Sequence, residues 1–206
     1  MYSKGKILNM IIDNSKTIAV VGNSTNLLNN NYSKLIDSHD LVIRFNQARV
    51  KGYEVNVGCK TSMRMINHHV FTGTTNASQF SKYDINFIPS VDEPLILCKF
   101  LPNYKNIAKS RNIKASVSYV TDEVYYEAAN MLKGGKDPTM GFIGIIFALK
   151  MSSKVSIFGF DLNKTNNPSH YWEKTNNMGA TQFHNFNIEN NKIRDLIKEN
   201  KIKYYE

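Results

Sequence analysis

The clearest pattern of apolar and polar positions lies between residues 138 and 173, where an apolar stretch leads into a polar loop. Pro138 and Thr139 are typical of a helix start, and the nearly all-apolar run from Gly141 to Met151 predicts a buried helix. Val155 to Phe160 is a β-branched and aromatic run, as in a strand covered on both faces. The loop that follows should lie at the carboxyl end of a strand, where open α/β sheets bind ligands.

The rest of the chain alternates short apolar runs with polar or amphipathic segments, which is typical of an α/β protein. Further strands are predicted at Thr17 to Val21, Asp40 to Phe45, Lys60 to Asn67, Ile85 to Pro89, Pro94 to Phe100, Ala115 to Val120 and Lys201 to Glu206. Helices are predicted at Asn103 to Arg111, Asp122 to Leu132 and His184 to Glu199, and loops at Phe71 to Ser81 and Asn163 to Ala180. Two strands carry an arginine, Arg44 and Arg64, and we expect both charges at the rim of the sheet.

Length and composition fit one domain, because 206 residues with 42% hydrophobic content can bury a full core. The formal net charge of +9 predicts attraction to nucleic acid, an anionic lipid surface or phosphorylated small molecules. The segment from Pro94 to Val120 has no acidic residue, and its basic residues are Lys99, Lys105, Lys109, Arg111 and Lys114. A solvated surface is the simpler explanation of this segment.

The cysteines and the N-terminal residues indicate a reducing compartment. Cys59 and Cys98 form no CxxC pair and have no His/Cys ligand spacing, so we expect reduced, buried thiols. The apolar patch from Ile7 to Ile12 is short and is not followed by a small-residue cleavage site. We therefore predict a cytoplasmic chain without a membrane span.

Two histidines near the predicted ligand-binding edge are the candidates for acid–base chemistry. His170 opens the cluster that ends at Glu173, and His184 lies where the last helix is predicted to begin. Unpaired N–H groups and the helix dipole disfavour a positive charge there, and a neutral imidazole is a competent general base at pH 7. Glu189 would point away from His184 on a regular helix, which predicts a structural hydrogen-bonding role. Either histidine could also be an ordinary, satisfied polar side chain.

Several common active-site patterns are absent from the sequence. Gly22-Asn23-Ser24 follows the first strand, but the second and third glycines of the dinucleotide-binding fingerprint are missing. The chain also lacks an Asp-x-Asp pair, a GxSxG elbow and a P-loop. These absences disfavour NAD or FAD binding, a divalent-ion clamp on a nucleotide, serine hydrolase chemistry and NTPase activity.

Four segments, in order, resemble the sialylmotifs of the eukaryotic-type sialyltransferases, glycosyltransferase family 29, which move sialic acid from CMP-sialic acid to a glycan hydroxyl. The long motif resembles AVVGNSTNL from Ala19, with LVIRFNQA and VGCKTSMRMIN, and the short motif resembles PTMGFIGIIFALKMSSKVSIFGFD. The third motif resembles HYWE, and the very short motif, His-x4-Glu, is met by His184 and Glu189. The resemblance covers nearly the whole chain.

The resemblance implies a single Rossmann-like α/β domain of the GT-A type over residues 1–206, with a mixed, mostly parallel sheet flanked by helices. It implies an inverting, metal-independent transferase without a cofactor, a CMP-sugar donor, and a glycan or glycolipid acceptor such as a galactoside. His184 would be the general base, and His170 would hydrogen-bond the departing CMP phosphate. The implied donor-binding residues are Asn23, Ser24 and Asn46 at the nucleotide, Thr139 and Gly141 at the phosphate or carboxylate, and Gly159 and Phe160 at the cytidine.

The sequence departs from the family pattern in ways that leave alternatives open. The family usually links its long and short motifs by a disulfide, but Ile18 and Ser153 stand at the corresponding positions. Met140 replaces the usual Ser or Thr, so another CMP-activated acid such as CMP-Kdo stays a candidate donor. A non-catalytic module that binds a CMP-sugar or nucleic acid is the second alternative, although it would need neither histidine. No stripe of aromatic and basic residues suggests nucleic acid, whereas the basic segment could face an anionic, lipid-linked acceptor at the inner face of the membrane.

Overall fold

The fold alternates strands and helices along nearly the whole chain. The computed structural model describes residues 13–73, 87–99, 101–133, 136–163, 170–173 and 183–206. The strands are β1 (Thr17–Val21), β2 (Leu41–Phe45), β3 (Met63–Ile66), β4 (Leu95–Leu97), β5 (Val117–Tyr119), β6 (Lys154–Phe158) and β7 (Ile202–Tyr205). The helices are α1 (Ser33–Asp37), α2 (Glu54–Val57), α3 (His68–Thr72), α4 (Tyr104–Ser110), α5 (Asp122–Leu132), α6 (Met140–Met151) and α7 (Phe186–Lys198), with a 3₁₀ helix at Thr25–Asn29.

The seven strands form one sheet in the order β5-β4-β3-β2-β1-β6-β7, and every pair of neighbouring strands is parallel. The expectation of a mixed sheet is therefore wrong for the described strands. Each connection between two strands returns the chain to the end of the sheet where the previous strand began, so all the strands run in the same direction. The strand order reverses between β1 and β6, and this switch point is where doubly wound sheets form a crevice for ligands.

Helix α6 is the centre of the core on one face of the sheet. It packs against β1, β2, β3 and β6, and its residues from Phe142 to Ala148 are all buried. The side chains of β1 point alternately to the two faces of the sheet. Ile18 and Val20 pack in the α6 cluster, whereas Ala19 and Val21 pack against the 3₁₀ helix and α1 on the other face. Both faces of β1 are thus covered, and its carboxyl end is fixed relative to the start of α6.

The two arginines lie inside the protein, not at the rim as expected. Arg44 is fully buried and donates hydrogen bonds to the carbonyl oxygens of Val57 and Lys60 at 2.7 and 2.9 Å. Burial lowers the pKa of Arg44 to about 10, which still leaves the guanidinium charged at neutral pH. Arg64 is also buried and pairs with Glu93 at 2.6 Å. Both guanidinium groups donate hydrogen bonds to backbone carbonyls of neighbouring loops and so stabilise the positions of those loops.

The predicted elements agree with the structure where the apolar pattern is long, and fail where elements are short. Helices α1, α2, α3 and the 3₁₀ helix were not predicted. The predicted loop from Phe71 begins inside α3, and residues 87–89 form no strand; the rest of both segments lies outside the described residues. Most of the predicted loop from Asn163 also lies outside them. No helix in the described ranges has the length and apolar character required to cross a membrane.

The two cysteines are both free thiols, but they differ in burial. Cys98 is half-buried, and burial raises the pKa of its thiol. Cys59 is exposed, so the expectation of a buried thiol is wrong for this residue. Its backbone explains the difference, because the Cys59 N–H lies in the turn after α2 and donates to the carboxylate of Asp37 at 2.9 Å. The turn places the side chain outside the core.

Candidate active site

The loops that follow β1 and β6 touch each other through their backbones at the switch point. The Gly22 N–H donates to the Phe158 carbonyl at 2.7 Å, and the Ser24 N–H donates to the Gly159 carbonyl at 3.0 Å. A Cβ atom on Gly22 would collide with the Gly159 carbonyl oxygen, and Gly159 itself has a φ of +69°. Glycine is needed at both positions for this close approach. The crevice between the two halves of the sheet therefore has a floor made of main chain.

Asn23 and Ser24 occupy the β1 side of this floor. Ser24 is buried and caps the 3₁₀ helix, with its Oγ accepting from the Asn26 N–H at 3.5 Å. Among the described residues, the side-chain oxygens of Asn23 and Asn26 are buried without a hydrogen-bonding partner. Buried polar atoms are normally paired, and a water molecule or a ligand would supply the partner that these two amide oxygens lack.

The start of α6 faces the same crevice through Phe160. Thr139 caps the helix, with its Oγ1 accepting from the Phe142 N–H at 3.1 Å. The Phe160 ring lies against the backbones of both Gly141 and Gly22, because a Cβ added to Gly141 would lie 2.9 Å from one edge of the ring and a Cβ added to Gly22 would lie 3.2 Å from the other. The first-turn N–H groups of a helix lack partners within the helix, so this end of α6 can bind an anion.

His170 joins the β1 loop directly. It forms an isolated antiparallel bridge with Ser24, and the following Tyr171 N–H donates to the Asn23 carbonyl at 3.0 Å. The His170 ring stacks on Trp172 with centroids 4.6 Å apart, and its Nδ1 lies 2.9 Å from Glu173 Oε1. Nδ1 is buried against Glu173 without hydrogen-bond geometry, so Nε2 is the ring atom that remains for a ligand.

His184 has the tautomer that a general base requires. Its Nδ1 lies 2.8 Å from the Asp137 carbonyl oxygen. A carbonyl only accepts hydrogen bonds, so Nδ1 carries the proton and the lone pair of the neutral ring is on Nε2. Burial lowers the pKa of His184, which keeps the ring neutral at pH 7. The ring is therefore neutral as expected, but burial is the main cause and not the start of a helix. Helix α7 begins two residues later, after the capping residue Asn185.

Glu189 has the structural hydrogen-bonding role predicted from its spacing, and the structure shows that its partner is the start of α6. Its Oε1 accepts from the Thr139 N–H and its Oε2 accepts from the Thr139 hydroxyl, both at 2.7 Å. Burial raises the pKa of Glu189 to about 7, although both hydrogen bonds act to lower it. His184 and Glu189 therefore both attach to the segment that leads into α6.

Asn46 lies at the same edge of the sheet, one strand away from β1. It has a left-handed φ of 46°, and its Oδ1 accepts from the Asn67 N–H at 2.9 Å. Its carbonyl accepts from Arg64 at 2.8 Å. The Asn46 side-chain oxygen is thus engaged in joining the ends of β2 and β3, so its amide NH₂ is the group that can face a ligand.

The structure collects most of the candidate residues into one region. Backbone bonds and the Phe160 ring connect the residues at the switch point to the α6 start: Asn23, Ser24, Gly159, Phe160, His170, Thr139 and Gly141. His184 is attached to this region through Asp137, and Asn46 lies beside it. Sequence reasoning missed the group around Asp137, whose carboxylate accepts from the Tyr125 hydroxyl at 2.7 Å and lies 3.6 Å from Lys99 Nζ. These three residues are distant in sequence, and no motif links them.

Comparison with known proteins defines the family to which this fold belongs. Residues 9–201 match the family model described as Glycosyltransferase family 29 (sialyltransferase), so the chain belongs to this family. A crystal structure of a mammalian sialyltransferase superposes with a TM-score of 0.70 at 25% identity, covering 92% of this chain and 68% of that one.

Two curated relatives carry different activities in their names. The human CMP-N-acetylneuraminate-beta-galactosamide-alpha-2,3-sialyltransferase 1 is 31% identical over 197 residues, which cover 91% of this chain and 57% of the relative. The Beta-1,6-galactosyltransferase GALT29A of Arabidopsis thaliana is 28% identical over 206 residues, which cover 86% of this chain and 50% of the relative. The chain therefore spans about half the length of these relatives.

Proposed function

We propose that this chain transfers sialic acid from CMP-sialic acid to a hydroxyl group of a galactoside glycan. The observation that carries the proposal is the neutral His184 ring, whose Nδ1–H is held by the Asp137 carbonyl and whose Nε2 is left as a base. It is attached next to the start of α6, a helix end at which an anionic group of a donor would be favoured, in a chain of glycosyltransferase family 29. A relative named for sialyl transfer to galactosamides supports this donor and this acceptor.

The reaction would be a single inverting displacement. His184 Nε2 takes the proton of the acceptor hydroxyl as that oxygen forms a bond to the anomeric carbon. The bond between the anomeric carbon and the phosphate oxygen of CMP breaks at the same time, and CMP departs with the electron pair. His170 Nε2 would hydrogen-bond the phosphate as negative charge develops, with Glu173 on the opposite ring nitrogen at 2.9 Å.

The donor would lie across the crevice between the β1 loop and α6. Asn23, Ser24 and Asn46 would contact the nucleotide, and Gly159 and Phe160 would border the cytidine. The helix end at Gly141 would face the phosphate or the sialic acid carboxylate. The groups proposed at the phosphate are N–H groups and an imidazole, not a pair of carboxylates, so we expect transfer without a metal ion or cofactor.

The proposed acceptor is a glycan or glycolipid, and the proposed location is the cytoplasm, with peripheral contact at the inner face of the membrane. Four basic residues of the segment from Pro94 to Val120 are exposed: Lys99, Lys105, Lys109 and Lys114. Arg111 is different, because it is partly buried and donates to the Val70 carbonyl at 2.7 Å. The exposed lysines support attraction to an anionic lipid surface, which co-sedimentation with anionic vesicles at low and high salt would test.

The donor is tested by incubating the purified chain with a β-galactoside acceptor and one donor at a time. The first donor, CMP-sialic acid, tests the proposed sialyl transfer, and the second, CMP-Kdo, tests the alternative acid sugar. The third, UDP-galactose, tests the galactosyl transfer named for the Arabidopsis relative. We expect a sialylated product only with the first. Transfer from another donor would replace the donor assignment, and CMP-sugar binding without any product would support a binding module.

The base is tested by comparing His184→Ala with His170→Ala in transfer and in donor hydrolysis. General-base catalysis is typically worth about 10²- to 10⁴-fold, so His184→Ala should lower transfer by about that factor. Hydrolysis should fall less, because water attack on an oxocarbenium-like centre needs less help from a base. His170→Ala should slow both reactions together. Near wild-type transfer by His184→Ala would show that another group is the base.

A further inference from the structure

Glu189 is a buried carboxyl group next to the proposed catalytic residues, with only 3% of its surface exposed. It lies in the first turn of α7, and its two oxygens accept from the N–H and the hydroxyl of Thr139 at 2.7 Å each. Both donors of Thr139 are therefore used by one carboxylate. Because Thr139 caps α6, this contact joins the starts of two helices.

A second contact joins the same two segments on the side of the imidazole. Asp137, which accepts from His184 Nδ1, precedes Thr139 by two residues, and buried Pro138 stands between them. Proline fixes the backbone angle φ of residue 138, which removes one of the two rotations between the Asp137 carbonyl and the Thr139 N–H. Three hydrogen bonds thus set the register of residues 137–139 against residues 184–189.

The two contacts differ in strength. The His184 bond is a single bond to a neutral carbonyl, whereas Glu189 makes two partly buried bonds that are assisted by charge when the carboxyl group is ionised. Charge-assisted hydrogen bonds are shorter and stronger than neutral ones. The carboxyl group also lies at the positive ends of both α6 and α7, which opposes the burial that raises its pKa to about 7. The Glu189 contact is therefore the one that fixes how the two segments sit together.

We propose that Glu189 is a positioning residue for sialyl transfer: it holds the segment that carries His184 against the start of α6, and so aims His184 Nε2. This inference rests on the function proposed above. Glu189 does not touch the substrate in this account, because both of its oxygens are occupied by Thr139. It acts through Thr139, Pro138 and the Asp137 carbonyl on the position and tautomer of the imidazole.

The kinetic test compares Glu189→Gln and Glu189→Asp with Glu199→Gln. Glu199 lies at the other end of α7, is exposed, and pairs with Lys201 at 2.7 Å, so its variant is the matched control. Gln keeps the size of the side chain but weakens the contact, and Asp keeps the charge but is too short. Misplacement of a catalytic group by about 1 Å can cost about 10²-fold, so we expect transfer kcat to fall about 10- to 100-fold in both Glu189 variants. Donor hydrolysis and donor KM should stay within about threefold of wild type.

The spectroscopic test is nitrogen NMR of the His184 ring in the folded proteins. The wild-type protein and Glu199→Gln should show the neutral ring with its proton on Nδ1. Both Glu189 variants should show a mixture of the two neutral tautomers, because the Asp137 carbonyl no longer has a fixed position. A merely structural anchor would leave this signal unchanged.

The outcomes separate this inference from the proposed function. Equal losses of transfer and hydrolysis with an unchanged His184 tautomer would show that Glu189 only supports the fold. Failure of both Glu189 variants to fold would also show that Glu189 supports the fold and would overturn the positioning role. If His184→Ala loses transfer while both variants keep the wild-type ratio of transfer to hydrolysis, the positioning role alone is overturned. If His184→Ala transfers normally, the base assignment is overturned as well.

Discussion

Glu189→Gln should change how the free energy of unfolding depends on pH. Burial raises the pKa of Glu189 from the ordinary value of 4.5 to about 7. Between these two values the folded chain retains a proton that the unfolded chain has lost. The contribution of Glu189 to stability is therefore complete below pH 4.5 and is lost as the pH rises through about 7.

The shift from 4.5 to about 7 gives the size of this effect. At 1.36 kcal/mol per pKa unit it corresponds to about 3 kcal/mol of unfolding free energy. Gln has no proton to lose, so the variant should lack this slope. His184 has the opposite effect on the unfolding free energy. Because burial lowers the pKa of His184, its contribution to stability grows as the pH rises toward 6.5. In the difference between the two proteins, the part of the His184 effect that they share cancels.

The assay is urea denaturation of the wild type, Glu189→Gln and the control Glu199→Gln at several pH values between about 5 and 8. The difference in unfolding free energy between the wild type and Glu189→Gln should change by up to about 3 kcal/mol over this window, in favour of the variant at high pH. Glu199→Gln should stay parallel to the wild type. Parallel curves for Glu189→Gln would refute the reasoning, because they would mean that the buried carboxyl group titrates as it does in the unfolded chain.

Three further predictions concern metal, the thiols and the glycine floor of the site. Transfer should persist in excess EDTA, and a loss of activity restored by Mn²⁺ or Mg²⁺ would contradict the metal-free assignment. Cys59→Ser combined with Cys98→Ser should change the unfolding free energy by no more than about 1 to 3 kcal/mol, and unfolding of the native chain by a reducing agent would contradict free thiols. Gly159→Ala should cost more stability in thermal melts than Gly52→Ala, because both have positive φ but only the Gly159 Cβ would meet Leu27, at 2.6 Å. Equal melting temperatures for the two glycine variants would show that the loops yield without strain.

The sequence predicts the core of this fold well because the apolar runs that form it are long or strongly β-branched. The predicted bounds of β1 and α5 match the structure, and α6 begins at Met140 after the predicted Thr139 cap. Helices α1 to α3 have only four or five residues, too few to show a helical period. The apolar pattern does not indicate the direction of a strand either, and the expectation of a mixed sheet was therefore wrong.

The candidate site was predictable to the extent that it follows strand ends and motif residues. His170 was expected at the ligand edge because its loop follows a buried strand, whereas Gly159 and Phe160 were implied there only by the family resemblance; in the structure all three follow β6. The pairing of Thr139 with Glu189 and the group around Asp137 depend on contacts between distant segments, which periodicity does not reveal. Arg44 shows the same limit, because its burial depends on backbone carbonyls that the loop after α2 supplies.

The position of β1 in the sheet determines the order in which the protein can assemble during synthesis. β1 is the first described strand, yet one of its two neighbours is β6, which pairs along it from Thr17↔Lys154 to Val21↔Phe158. One edge of an apolar strand thus stays unpaired until the ribosome has made most of the chain. Pairing between such distant segments slows folding, and an open apolar edge invites association with other chains. A nascent chain that stalls before β6 should therefore be the form of this protein that most needs a chaperone.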